Sequence, residues 1–227
     1  MEAFKIEMPP GAQKIINTLC RDGFEAYLVG GCVRDSLLGK IPKDWDICTN
    51  ATPAEVERCF PEFRIIETGI QHGTVTILVN EESYEVTTFR TDGAYSDHRH
   101  PDEVKFTGSI EEDLARRDFT MNAIAYSPQR GLVDPYCGMY DLACGSIRCV
   151  GNPVERFQED ALRIMRALRF SSTYGFTMST YTYQAAIDNL DILQHVARKE
   201  FVTNCASLCS AKTFSDRCTG IIRYSVS

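Results

Sequence analysis

The stretch Leu28–Thr49, LVGGCVRDSLLGKIPKDWDICT, constrains the fold most. An apolar run at Tyr27, Leu28 and Val29 reads as a buried strand. It breaks at Gly30-Gly31, where the backbone can approach a ligand because no side chain intervenes. Val33–Leu38 then reads as one or two helical turns, ended by Gly39 and Pro42. A second short strand is predicted over Asp44–Cys48. Strand alternation would put Asp44 and Asp46 on one face and Trp45 on the other. Two like charges side by side are comfortable when a cation sits between them, and hard oxygen ligands suit Mg²⁺. Beside a glycine turn able to receive phosphates, the pair suggests metal-assisted phosphoryl or nucleotidyl transfer. The competing interpretation is a solvated edge strand carrying two surface acids.

Further elements follow in order. Pro9–Asp22 carries Ala12, Ile15, Ile16 and Leu19 at helical spacing, with Gly23 ending the helix. Thr52-Pro53-Ala54-Glu55 has the form of a capping box opening a helix that Pro61 stops. Strands are predicted at Phe63–Glu67, Thr74–Val79 and Tyr84–Phe89, with Glu81-Glu82 as the hairpin between the last two. In the third run Glu85 falls on the face opposite Tyr84, Val86 and Thr88. It is either a third acid facing Asp44 and Asp46 or the partner of Arg90. Thr91–Thr107 reads as a polar loop without secondary structure, a length that usually carries function or disorder. Its Asp97, His98 and His100 could also be taken for a metal cluster, but the spacing fits neither a helix pair nor a zinc knuckle.

Ser109–Met121 is predicted as a helix followed by a break, with Ser109 and Glu112 as a second capping box. Arg116 and Arg117 near its end could simply complement the helix dipole. Leu132–Pro135, Gly138 and Asp141-Leu142 read as strand, turn and short helix, and Ser146–Val150 as a last short strand. Pro153–Tyr174 is predicted as one helix. Its Phe157, Ala161, Ile164, Met165 and Leu168 share an apolar face, and Glu159, Asp160, Arg163, Arg166 and Arg169 fall on the opposite arc. By itself that arc is a solvated face with Asp160–Arg163 as an i,i+3 pair. Thr180–Val196 is one more helix.

Four of these stretches together resemble one family. GG-x-VRD-x-LLG followed by DWDI, the strand SYEVTTFR, RRDFT-x-N, and ED-x-x-R-x-x-R-x-x-R resemble the DNA polymerase beta-type nucleotidyltransferases. More narrowly, they resemble the class II tRNA nucleotidyltransferase (CCA-adding) and bacterial poly(A) polymerase family, over roughly residues 12–195. The resemblance implies a mixed α+β nucleotidyltransferase head at 1–150 and an all-α neck at 151–198 that recognises the base. It implies catalytic Asp44, Asp46 and Glu85, with Mg²⁺ on Asp44 and Asp46. Gly31 and Arg34 would hold the triphosphate, and Arg117 would contact the nucleotide with Asp118 and Asn122 in support. Asp160 and Arg163 would select the base, and Arg166 and Arg169 would meet triphosphate or RNA backbone. The loop Thr91–Thr107 would serve the switch from adding C to adding A, although His100 stands where the family more often has Arg before the Pro.

The base selection has a direct chemical basis. A carboxylate accepts from the exocyclic amine of cytosine or adenine, and a guanidinium donates to the adjacent ring acceptor. Uracil and guanine present the opposite polarity. The implied reaction is attack of a tRNA 3′-hydroxyl on the α-phosphate of CTP or ATP, with pyrophosphate leaving. Poly(A) synthesis is the same chemistry with another product. A nucleotide- or RNA-binding fragment without activity is the alternative of another class.

Composition narrows the setting. The 227 residues are 44% hydrophobic and 24% charged with a net charge of −7, so contact with RNA has to be local or come from something absent in this chain. No run is long enough to span a membrane and no signal peptide is evident, so a cytoplasmic location and no membrane partner are expected. Of the ten cysteines, seven, such as Cys20, Cys32, Cys48 and Cys149, are expected as small buried hydrophobes. No CxxC pair occurs, which argues against structural zinc, and disulfides are not expected. The tail from about 199 to 227 is rich in Ser, Thr and Cys and departs from the family pattern. A truncated or frameshifted chain is the expectation there. The sequence does not fix the oligomeric state.

Overall fold

The computed structural model describes residues 5–97, 99 and 101–195. The expected tail at 199–227 and the Asp97–His98–His100 cluster therefore lie outside the described residues, wholly or in part. The elements in chain order are α1 (Pro10–Arg21), β1 (Ala26–Val29), α2 (Gly31–Leu37), β2 (Ile47–Thr49), α3 (Pro53–Cys59), β3 (Arg64–Gly69), β4 (Thr74–Val79), β5 (Glu82–Thr88), β6 (Arg90–Asp92), β7 (Val104–Phe106), α4 (Ile110–Ala115), β8 (Ala125–Ser127), β9 (Gly131–Val133), α5 (Gly138–Cys144), β10 (Ser146–Ile147), α6 (Pro153–Glu159), α7 (Leu162–Tyr174), β11 (Thr177–Met178) and α8 (Thr180–Asp188). None of the described helices is long and apolar enough to cross a membrane.

Among the described residues seven strands form one mixed sheet in the order β3-β4-β5-β2-β1-β8-β9. All neighbours are antiparallel except β2 and β5, which run parallel. With helices beside it the architecture is mixed α+β, a polymerase beta-type nucleotidyltransferase sheet followed by a helical region. β1 lies centrally and every one of its residues is buried, as a strand covered on both faces requires. α1 packs on it, and its Ile15, Ile16 and Leu19 are fully buried, each contributing about 1.5–3 kcal/mol of burial.

The chain falls into two compact units. The first runs to Asp92 and includes Val104–Arg117 and Met121–Met139. The second contains, among the described residues, Gly93–Glu103, Asp118–Thr120 and residues 140–195. The core of the second unit gathers Phe119, Phe157, Ile164, Leu168 and Phe170. The Phe119 and Phe170 rings meet edge to face at 5.9 Å, a favoured aromatic geometry.

Several local expectations are corrected. The β4–β5 hairpin turns at Asn80-Glu81, whose φ values are 50° and 68°, not at Glu81-Glu82. Such a two-residue turn needs positive φ at both positions, and Asn accepts it. The loop 91–107 closes at its base as an antiparallel ribbon of β6 and β7. The second capping box is only half made. Ser109 Oγ accepts from the Glu112 amide at 3.3 Å, but the Glu112 carboxylate bonds the Thr107 hydroxyl instead. The Glu55 carboxylate does reach back to the Thr52 amide, at 2.8 Å. α2 opens at Gly31, two residues before the predicted start, and α4 ends at Ala115.

The helix predicted over 153–174 is two helices, α6 and α7, with the break at Asp160. Asp160 is extended (φ −141°, ψ 104°), and its Oδ1 accepts from the Leu162 amide at 2.9 Å. A short side chain that bonds nearby backbone in this way competes with helix continuation. The last helix is also shorter than expected: α8 ends at Asp188, and a 3-10 turn follows over Leu190–His195. Of the seven described cysteines only Cys32, Cys48 and Cys149 are buried; Cys137 and Cys144 are exposed.

Candidate active site

The site of the first unit grows out of the junction between β1, β2 and β5. β2 begins at Ile47, so Asp44 and Asp46 precede the ladder instead of alternating within it. The Asp46 carbonyl still accepts from the Val29 amide at 3.1 Å, tying this segment to the end of β1. In the parallel β2–β5 pair, Ile47 is opposite Val86. The residues one step earlier therefore stand beside each other, Asp46 just before β2 and Glu85 in the middle of β5. Val86 and Ile47 are buried beneath them, and Glu85 is open to solvent.

Asp46, Glu85 and Arg117 line one cleft of about 200 Å³ with Val29, Ile47 and Arg116. Thr74 and Thr87, also on its wall, share a hydroxyl–hydroxyl hydrogen bond of 2.9 Å. The Asp46 carboxyl is raised above its ordinary pKa by the surrounding protein first, then by Glu85 and Asp44, with Arg117 pulling the other way. Asp44 thus lies within electrostatic range of Asp46 although it is not itself on the wall. Among the described residues no three His, Cys, Asp or Glu side chains are gathered so as to hold a metal unaided. Mg²⁺ characteristically takes one or two carboxylates and completes its shell with substrate phosphate and water. A crowded, under-compensated pair of acids fits that donor set.

Arg117 and Arg116 are anchored from below by Asp113, a residue that reading the sequence did not single out. Asp113 is fully buried and its carboxylate meets Arg116 Nη2 at 2.8 Å and Arg117 Nη2 at 3.0 Å. Burial alone would raise its pKa, but Arg117 and Arg116 hold it below the ordinary carboxylate value. The spacing Asp113-x-x-Arg116-Arg117 places acid and bases at i, i+3 and i+4, and that was the available signal.

Arg117 Nη1 lies 3.2 Å from where a Cβ on Gly30 would sit. Gly30 has φ 74° and caps α2. The glycine here serves both the turn and the close approach of the guanidinium. Gly31 follows as the first residue of α2. Arg34 is buried; Nη1 donates to Asn122 Oδ1 at 2.6 Å and Nε to Asp35 Oδ1 at 2.9 Å. Arg90, one of the cleft residues, pairs with Asp92 at 3.3 Å.

The other predicted residues sit in the second unit, at the corner between α6 and α7. Arg163 does not lie on a solvated arc. It is buried, and Nη1 reaches Glu159 Oε2 at 2.6 Å and the Arg156 carbonyl at 3.2 Å. Its acid partner is therefore Glu159 rather than Asp160, because the break redirects the Asp160 carboxylate onto the α7 amide. Burial disfavours the Arg163 charge, but Glu159, Tyr95 and Asp118 outweigh it and raise the pKa. The Asp160 carboxyl is raised by burial, with Arg163 opposing. Arg166 is held by Asp118, Nη2 to Oδ2 at 2.7 Å. Arg169 stacks over the Phe170 ring at 5.3 Å.

The chain matches the family described as Poly A polymerase head domain over residues 26–148. It is 51% identical over 186 residues to a CCA-adding enzyme of Lactiplantibacillus plantarum, covering 82% of this chain and 45% of that protein. It is 53% identical over 186 residues to a CCA-adding enzyme of Anoxybacillus flavithermus, covering 82% and 46%. Among solved structures it is similar to the Bacillus stearothermophilus CCA-adding enzyme in complex with CTP, with a TM-score of 0.81 at 42% identity over 90% of this chain and 50% of that one. The chain spans about half the length of the curated relatives it matches.

Proposed function

Because the chain belongs to the Poly A polymerase head domain family, we propose that it carries the nucleotidyltransferase head and neck of a class II CCA-adding enzyme. Its reaction is template-independent transfer of CMP and AMP from CTP and ATP to the 3′ end of tRNA, with release of pyrophosphate. The observation that carries this function is the convergence of Asp46, Glu85 and Arg117 on one cleft, next to the Gly30 turn. CCA addition is favoured over poly(A) synthesis because the relatives above are CCA-adding enzymes.

In this mechanism Asp44 and Asp46, with Glu85 beside them, would hold Mg²⁺, which when bound would supply Lewis-acid activation of the attacking hydroxyl and charge neutralisation at the leaving pyrophosphate. The Gly31 backbone, Arg34 and Arg117 orient the triphosphate so that the α-phosphate is presented in line. Arg suits this work because its forked guanidinium stays charged and matches phosphate oxygens. Asp160 accepts from the exocyclic amine of cytosine or adenine, and Arg163 donates to the neighbouring ring acceptor. Arg166 and Arg169 serve triphosphate or RNA backbone. We assign the head to 1–150 and the neck to 151–198.

The test is Asp44→Ala. It should abolish CMP transfer to a tRNA lacking its last three nucleotides while leaving the circular dichroism spectrum unchanged. Transfer at the wild-type rate would remove the metal assignment.

A further inference from the structure

We propose that Asp113 is a positioning residue for the triphosphate, acting through Arg116 and Arg117 and touching no substrate itself. This inference rests on the function proposed above and extends it to a residue outside the cleft. The Asp113 carboxylate accepts from four N–H groups: the Arg90 amide at 3.3 Å, Arg116 Nε at 3.1 Å and Nη2 at 2.8 Å, and Arg117 Nη2 at 3.0 Å. Three residues that line the cleft, Arg90 through its amide and Arg116 and Arg117 through their guanidiniums, thus meet one buried anion, and Asp92 adds a second contact to Arg90 at 3.3 Å and to Arg116 at 3.7 Å. Asp113 is inaccessible, whereas the side chains of Arg116 and Arg117 keep 18% and 19% of their surface exposed. Here the anion is below and the cations open into the space shared with Asp46 and Glu85.

The chemistry explains the need. Two arginines beside each other repel, and each has many rotamers that a free chain would sample. Asp113 is the carboxylate that ties the two guanidiniums to each other, since Arg forks pair with carboxylate in a defined geometry. Pre-ordering in this way lowers the entropy cost of receiving a polyanion. The effect belongs to the phosphates and not to the base, so Asp113 should influence CTP far more than CMP.

The experiment measures equilibrium binding of CTP and of CMP, each with Mg²⁺, to the full chain. The proteins compared are wild type, Asp113→Asn and Asp113→Glu. The expected result for Asp113→Asn is CTP affinity reduced about tenfold or more, with CMP affinity changed by less than about threefold. The same substitution made in an Arg116→Gln/Arg117→Gln background should add no further loss of CTP affinity. Should Asp113→Asn fail to fold, Asp113→Glu decides. It keeps the charge but displaces both arginines, and it should lower the CTP-to-CMP affinity ratio. A proportional loss for both ligands, or no loss for either, would overturn the inference while leaving the proposed function standing. A wild-type chain that binds no CTP would overturn both.

Discussion

Asp118 and Arg166 form a two-point contact, with Arg166 Nη2 at 2.7 Å and Nε at 2.8 Å from the same Asp118 Oδ2. The other Asp118 oxygen accepts from the Phe119 amide at 2.7 Å. Asp118 is buried and Arg166 half-buried, so losing Arg166 leaves a carboxylate short of partners in protein surroundings. Arg166→Ala is expected to lower the unfolding free energy by about 1–2 kcal/mol, read by urea denaturation. In a double-mutant cycle with Asp118→Ala, the two losses should fall well short of adding.

Asp46 is held beside two other acids, with Glu85 and Asp44 both raising its pKa. Removing its charge relieves repulsion in the metal-free protein and removes a metal ligand. Asp46→Asn should therefore unfold at the same temperature as wild type or a higher one, as function-related strain often allows. Transfer from CTP should fall about 100-fold or more. A melt and a single-turnover assay on the same preparation test both halves.

Asp113 has its folded-state pKa lowered, with Arg117 and Arg116 overcoming the effect of burial. Its contribution to stability is fully present above the unfolded-state value of about 3.9 and is lost as pH falls through the depressed folded value. The stability gap between wild type and Asp113→Asn should therefore be constant near pH 7 and narrow below about pH 4. Urea unfolding at a series of pH values measures it, and a gap that widens on acidification would contradict the pairing.

Asp160 does two things at once. Its carboxylate caps α7 through the Leu162 amide and, in the proposed function, accepts from the base amine. Asp160→Asn retains a cap acceptor but places an N–H₂ donor at the site. Its melting temperature should stay close to wild type, while the preference for CTP over UTP should fall about tenfold or more. Competition between the two nucleotides in one reaction reads the ratio directly.

The sheet was legible in the sequence where residues alternate. Tyr84, Val86 and Thr88 are buried and Glu85 points out, as the period of two requires. β8 escaped notice because three consecutive buried residues, Ala125, Tyr126 and Ser127, carry no alternation to detect. The two-residue shift at α2 reflects Gly31, a weak helix former that nonetheless opens the helix after the Gly30 cap. The α6–α7 break was hidden by an apolar period that runs through it, from Phe157 to Leu168, all buried. Only the Asp160 side chain, by choosing a local amide, decides the matter. The burial of Arg163 follows from that break and from Glu159, so it could not be read from spacing alone. The acids of the cleft were legible as residue types. Their proximity depends on the parallel β2–β5 register, a contact between segments some forty positions apart.

The most direct measurement incubates the purified chain with Mg²⁺ and a tRNA lacking its last three nucleotides, giving each nucleoside triphosphate alone and then CTP with ATP. The account predicts addition of C from CTP alone, none from UTP or GTP, and completion to C, C and A when CTP and ATP are both present. Incorporation of ATP alone in long runs would contradict it in favour of a poly(A) polymerase. No incorporation of any nucleotide by a folded chain would contradict the catalytic assignment itself.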